Sequence, residues 1–125
     1  MEARNKIRSF KDLEAWKYGH ALVLSIYRVT NRYPKNEQFG ITNQMRRAAV
    51  SITSNIAEGF SRQSSKEKCQ FYSIALGSLT ELQNQLLISK DIGYLAEADF
   101  QKIDGESLST QKLIHGLLKY VRRSI

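Results

Sequence analysis

An all-α fold, an antiparallel up-down-up-down four-helix bundle, follows from three observations on this 125-residue chain. Apolar residues recur close to every 3.6 positions almost throughout, and no stretch alternates as a strand would. Four such segments are separated by short breaks at Pro34, Gly59–Ser65 and Gly93. Short connections between long helices favour antiparallel neighbours. Residues 1–125 therefore read as a single domain, with 1–10 as a loosely ordered N-terminal arm. A chain of this size buries roughly two-thirds of its unfolded surface, enough for one core without staples.

The first helix is expected from about Asp12 to Arg32. Asp12 follows Phe10 as a plausible N-cap, and Pro34 stops the segment because proline disfavours helix at the residue before it. Leu13, Trp16, His20, Val23, Leu24 and Tyr27 share one face, which we assign to the core, with His20 packed beside Trp16. The second helix is expected over about Glu37 to Glu58, with Ile41, Met45, Ala48, Ile52 and Ile56 at steps of four and three. Gly59 fits a C′ position with positive φ. Ser64 or Ser65 then caps the third helix, with Glu67 placed for a capping box. That helix runs to about Lys90, and Phe71, Ile74, Ala75, Ser78, Leu79, Leu82 and Leu86 form its main face. The fourth begins between Ala96 and Asp99 and carries Phe100, Ile103, Ile114, Leu117, Leu118 and Val121. Gly105 and Gly116 weaken it, each by up to about 1 kcal/mol.

Two helices carry more apolar surface than one face needs. Ala15, Leu22, Ile26 and Val29 form a second stripe on the first helix, and Cys69, Leu76 and Leu87, with Tyr72 nearby, form one on the third. Burial on two sides marks an interaction surface. We therefore expect self-association through Leu22, Ile26, Val29, Leu76 and Leu87. The alternative is that one stripe is simply a wide core face.

Charge narrows the function. Nineteen Lys and Arg against twelve Asp and Glu give +7, with a pI near 9.7. A basic domain of this size attracts polyanions, chiefly nucleic acid or an anionic membrane surface. No apolar run is long enough to span a bilayer, and the first ten residues lack the apolar region of a signal peptide. No membrane partner and a cytoplasmic location are the expectations. The single cysteine, Cys69, leaves no internal disulfide and no multi-cysteine metal site. It falls inside a predicted helix at a packing position.

Catalytic chemistry is not evident. Neither His20 nor His115 has a glutamate three residues earlier, so the Glu-x-x-His pairs of di-iron bundles are missing. Phosphate-binding and dinucleotide-binding glycine motifs are missing too. We expect no enzyme, no cofactor and no metal. His115, beside Gly116, could serve as a phosphotransfer residue in a helical bundle, but a half-buried histidine at the edge of the core stripe is the simpler account.

The segment from Asn43 to Arg62 carries the most information. Gln44, Arg47, Ser51, Asn55 and Glu58 form a polar stripe beside the apolar face, spaced so that neighbours touch. Gln44, Ser51, Asn55 and Glu58 read as a hydrogen-bonded register element. Arg46 points away from this stripe. Arg46, Arg47 and Arg62, with Lys119, Arg122 and Arg123 at the end of the fourth helix, are the candidate phosphate contacts. The alternative for the arginines is a solvated charged face.

At these residues the chain resembles the four-helix-bundle proteins encoded within intervening sequences of bacterial 23S ribosomal RNA genes. The resemblance covers Phe10 to Trp16, Thr30 to Pro34, Gln44 to Ala49, Ser51-Ile52, Asn55 to Gly59, Arg62, Ala75 to Ser78 and Glu81-Leu82. It implies an antiparallel four-helix bundle assembled into a homopentameric ring. It also implies kinship with the accessory variability protein of diversity-generating retroelements, which is basic and binds nucleic acid and a reverse transcriptase. The expected function is therefore that of a non-enzymatic, oligomeric protein contacting structured RNA or RNA–DNA through phosphates. The alternative is a scaffold whose ring docks a partner enzyme such as a reverse transcriptase.

Overall fold

The computed structural model describes residues 6–124. These form four long helices and no strands: α1 (Glu14–Thr30), α2 (Ile41–Ser61), α3 (Ser65–Asp91) and α4 (Glu97–Arg122). Each helix packs on two others in a closed cycle, α1 on α2, α2 on α3, α3 on α4 and α4 on α1. One continuous core runs between them, with Leu22, Ile26, Met45, Ile52, Ile56, Leu79, Leu82, Leu86, Ile114 and Leu118 fully enclosed. No helix among the described residues is long and apolar enough to cross a membrane.

The start of α1 differs from expectation. Asp12 does not cap it. Ser9 and Asp12 instead form a reciprocal capping box around a short 3-10 turn, Phe10–Asp12, and Leu13 stands at the N-cap of α1 without a side-chain bond. The Asp12 carboxylate accepts from the backbone N–H groups of Arg8 (2.8 Å) and Ser9 (3.0 Å). These bonds hold its carboxyl below the ordinary value because they favour the charged form. Phe10 meets the Trp16 ring edge-on at 5.3 Å. Of the arm expected to be loose, residues 1–5 lie outside the described residues, while Ser9 and Phe10 are held in place.

The expected faces of α1 hold only in part: Leu13 is in the core and Trp16 and Val23 pack half-buried against it, but the rest is reversed. Ala15, Leu22, Ile26 and Val29, expected between subunits, are buried inside the chain's own core, with Gly19 and Ser25. Leu24 and Tyr27, expected in the core, are exposed. His20 is exposed too and lies flat on Trp16, ring centroids 4.7 Å apart. The reason is steric. A Cβ at Gly19 would stand 3.1 Å from Thr53 Cγ2 and 3.7 Å from Thr110 Cγ2, so α2 closes tightly on this small-residue face and α4 meets it at ordinary contact. The bulkier Trp16–Tyr27 face fits only at the periphery.

Helix α2 starts later than expected, after a separate 3-10 turn at Lys35–Glu37. It also runs through Gly59, which is helical and not a positive-φ terminator; among the described residues only Gly93, with φ of 88°, has that conformation. Gly59 is needed for closeness. A Cβ there would lie 2.7 Å from Tyr72 Cε1 and 3.1 Å from Phe71 Cβ. Tyr72 is thereby sealed in the core, and burial pushes its hydroxyl pKa up to about 12. Ser64 caps α3, accepting from the Glu67 N–H at 3.1 Å.

On α3 the expected face holds at Ala75, Leu79, Leu82 and Leu86. Ile74 turns outward, and Tyr72, Gln85 and Ser89 take buried places. Leu76 packs half-buried against the core, while Leu87 is 47% exposed. The α4 expectations hold at Ile103, Ile114, Leu118 and Val121, with Phe100 and Leu117 half-buried.

Candidate nucleic-acid interface

The polar stripe of α2 meets α3. Ser51 and Ser78 hydroxyls are hydrogen-bonded at 2.8 Å. Asn55 Nδ2 donates to the Ser51 carbonyl (2.8 Å) and to Ser51 Oγ (3.1 Å). Each of these half-buried polar groups is therefore paired, as polar atoms withdrawn from water must be. Gln44 and Glu58 stay exposed at the edges of the seam. The short serine side chains on both helices bring α2 and α3 close at this level. The stripe thus joins α2 to α3 through Ser51 and Ser78, with Asn55 holding Ser51 from within α2.

The six cations expected to contact phosphates divide into two kinds. Arg46 is bound within the chain. Its Nε donates to Thr30 Oγ1 (2.9 Å), a terminal nitrogen donates to Asn31 Oδ1 (3.1 Å), and the guanidinium lies 4.6 Å from the Tyr27 ring centroid. It fastens α2 to the last turn of α1, and its planar fork suits that task better than a lysine would. Arg62 is also engaged. It pairs with Glu58 at 2.8 Å and stacks on Phe71 at 4.6 Å. Its Nε is buried without a partner. Both arginines therefore hold helix ends together.

The others are free. Arg47, Lys119, Arg122 and Arg123 are exposed and make no ion pair among the described residues. Arg47 borders two concave regions of the α2 surface. One, an open cleft of about 490 Å³, is lined by Tyr27, Asn43, Arg46, Arg47, Val50 and Ser51. The other is lined by Gln44, Arg47, Ala48, Ser51 and Glu81, on the α3 side. Lys119, Arg122 and Arg123 stand together at the end of α4.

Sequence reasoning missed one cation. Lys68 reaches back from α3 and donates to the carbonyls of Phe60 (2.7 Å) and Gly59 (3.3 Å), near the end of α2. It also lies 5.3 Å from the Phe60 ring centroid. A cation here satisfies the Phe60 carbonyl, adds to the Arg62 N–H already on the Gly59 carbonyl, and complements the helix dipole. Partial burial lowers its pKa by disfavouring the charged form. The signal was available as a lysine four residues after the N-cap, close to the turn it closes.

The family model described as 23S rRNA-intervening sequence protein matches residues 11–116. Among solved structures, the chain resembles a protein of unknown function from the S23 ribosomal protein family of Bacteroides thetaiotaomicron VPI-5482. The TM-score is 0.78 at 21% identity, covering 84% of this chain and 95% of that one. No curated protein matches the chain. The fold likeness agrees with four helices around one core, and the matched span takes in α1, α2, α3 and most of α4. The chain belongs to the 23S rRNA-intervening sequence protein family.

Proposed function

We propose that the chain is a basic, non-enzymatic protein of the cytoplasm that binds structured RNA, or an RNA–DNA intermediate, through phosphate contacts. The observation that carries this reading is the set of exposed cations Arg47, Lys119, Arg122 and Arg123, without ion pairs among the described residues, on a chain of net charge +7. Phosphate contacts position a protein on nucleic acid without reading its sequence. The family's link to intervening sequences of 23S rRNA supports a nucleic-acid role.

The helices run up-down-up-down. Supporting pairs on α2 and α3 are Met45 with Ser89, Ser51 with Ser78, and Gly59 with Tyr72, whose numbers rise on one helix as they fall on the other. In this arrangement the end of α4 lies at the same end of the bundle as the end of α2. A ring of five subunits would repeat that basic end around its axis. Because Leu22, Ile26 and Val29 fill the chain's own core, contacts between copies fall to exposed apolar side chains such as Leu24 and Leu87. Light scattering tests this; a monomeric mass at micromolar concentration rejects it.

Gel-shift titration against duplex RNA, duplex DNA and single strands tests binding. Arg122→Glu combined with Arg123→Glu should weaken duplex binding and flatten its log–log salt slope by about 1.8, two phosphates at about 0.9 each. Wild type binding no nucleic acid at low salt would refute the reading. The second reading, a scaffold that docks a partner enzyme such as a reverse transcriptase, rests on the open cleft beside Tyr27, Arg46 and Arg47. Tyrosine and arginine are enriched where binding energy concentrates in protein interfaces.

A further inference from the structure

Helix α4 is divided by charge. Its first ten residues, 97–106, hold Glu97, Asp99, Asp104 and Glu106 against one lysine, Lys102. Residues 107–124 hold Lys112, Lys119, Arg122 and Arg123 and not one acid. The helix dipole favours cations only in the last turn, so it does not account for Lys112, nearly three turns from the end.

On a wheel of 100° per residue, Lys112, Gly116, Lys119, Tyr120 and Arg123 fall on one face, and all five are exposed. Tyr120 is 71% exposed, and on the wheel it falls on the same face as these cations. Gly116 lies within the helix, yet a Cβ there would meet nothing within 4 Å. No packing inside the chain calls for that glycine, and it leaves the face flat beside the ring. The face from residue 112 to 123 is roughly 16 Å long at about 1.5 Å per residue. That length suits a short stretch of single strand, about four nucleotides at the small end of known sites.

We propose that this face binds single-stranded nucleic acid, with a base stacked on Tyr120 and phosphates on Lys112, Lys119 and Arg123. The proposal rests on the nucleic-acid reading above and adds to it an unpaired stretch of the bound strand, held apart from the duplex contacts. An aromatic ring stacks on any unpaired base, whereas bases inside a duplex offer it no free face. Charge sets the occupant as a polyanion, and the exposed ring selects the single strand among polyanions.

Fluorescence anisotropy of the full chain with a short oligouridylate and an RNA duplex of equal length tests it. Tyr120→Ala should weaken oligouridylate binding about five- to hundredfold. Duplex binding should change less than about twofold, because the charges remain. Tyr120→Phe should retain affinity, since the stacking face is kept. Bromouridine placed in the oligonucleotide should crosslink to Tyr120 on irradiation. Unchanged oligouridylate affinity in Tyr120→Ala, or crosslinks confined to other helices, overturns this proposal and leaves the broader reading standing. A fall in oligomer mass in Tyr120→Ala assigns the ring to contact between copies and also overturns it. Wild type binding neither probe removes the broader reading together with this one.

Discussion

Gly59→Ala is the sharpest test of how α2 and α3 meet. The new methyl carbon would lie 2.7 and 2.9 Å from two carbons of the Tyr72 ring and 3.1 Å from Phe71 Cβ. Carbon atoms in contact prefer about 3.5–4.0 Å, so the ring or the helix must move. Tyr72 is only 2% exposed and has no room to swing outward. Overpacking of this kind costs about 1–3 kcal/mol. Against it stands the gain of alanine over glycine within a helix, about 0.5–1 kcal/mol. The net loss spans about 0 to 2.5 kcal/mol, with a middle value of about 1.2 kcal/mol. For this length the entropy of unfolding is roughly 0.26 kcal/mol per degree, so Tm should fall by about 5 °C at the middle value. Gly77→Ala and Gly105→Ala supply the contrast, because a Cβ at either meets nothing within 4 Å. Both should raise Tm. Thermal unfolding of the three variants, followed by circular dichroism at one protein concentration, gives the answer. A Gly59→Ala protein more stable than wild type would refute the close-approach account.

Two further expectations follow from the helix ends. Arg46→Ala should cost about 1–2 kcal/mol in urea unfolding, since it removes two hydrogen bonds and the stacking on Tyr27, and Arg46→Lys should not restore the loss; full rescue by lysine would show that charge alone mattered. The Asp12 carboxyl is held below 3.8 first by the Arg8 N–H and then by the Ser9 N–H, so the stability it adds is present above the unfolded-state value and disappears as pH falls through the lowered folded value. Amide shifts of Arg8 and Ser9 should therefore titrate below pH 3.8, and Asp12→Asn should abolish that titration; a midpoint at or above the ordinary value would contradict the capping box.

Helix number and order were legible because the apolar period is unbroken within each segment and Pro34 and Gly93 interrupt it. Which face of α1 turns inward was not. Both of its stripes are apolar, and a wheel weighs Trp16 and Tyr27 above Ala15 and Gly19. Packing weighs them differently, since only the small face admits Thr53 and Thr110 at 3.1 and 3.7 Å from a Cβ on Gly19. The same limit applied to Gly59, where a helix-ending glycine and a glycine in close contact look identical in sequence. At the candidate interface, residue type identified the cations but not their engagements. Arg46 and Arg62 find partners on other turns and helices, at Thr30, Asn31 and Phe71, and such long-range pairs leave no periodic trace.

The short turn between α2 and α3 has a consequence for how the chain reaches this structure. Only Arg62, Gln63 and Ser64 separate the two helices, which share the most extensive helix–helix contact in the molecule. Loop-closure entropy is small for so short a connection, and contacts between sequence neighbours form fast. The α2–α3 pair is therefore the segment expected to form first, with Lys68 bonded to the carbonyls at its turn. Helix α1 is in the opposite position. It is made first, yet its buried face lies against both α2 and α4. During synthesis it must wait for nearly the whole chain before that face is covered, so the stripe on which α2 and α4 both pack is also the last to be shielded from water.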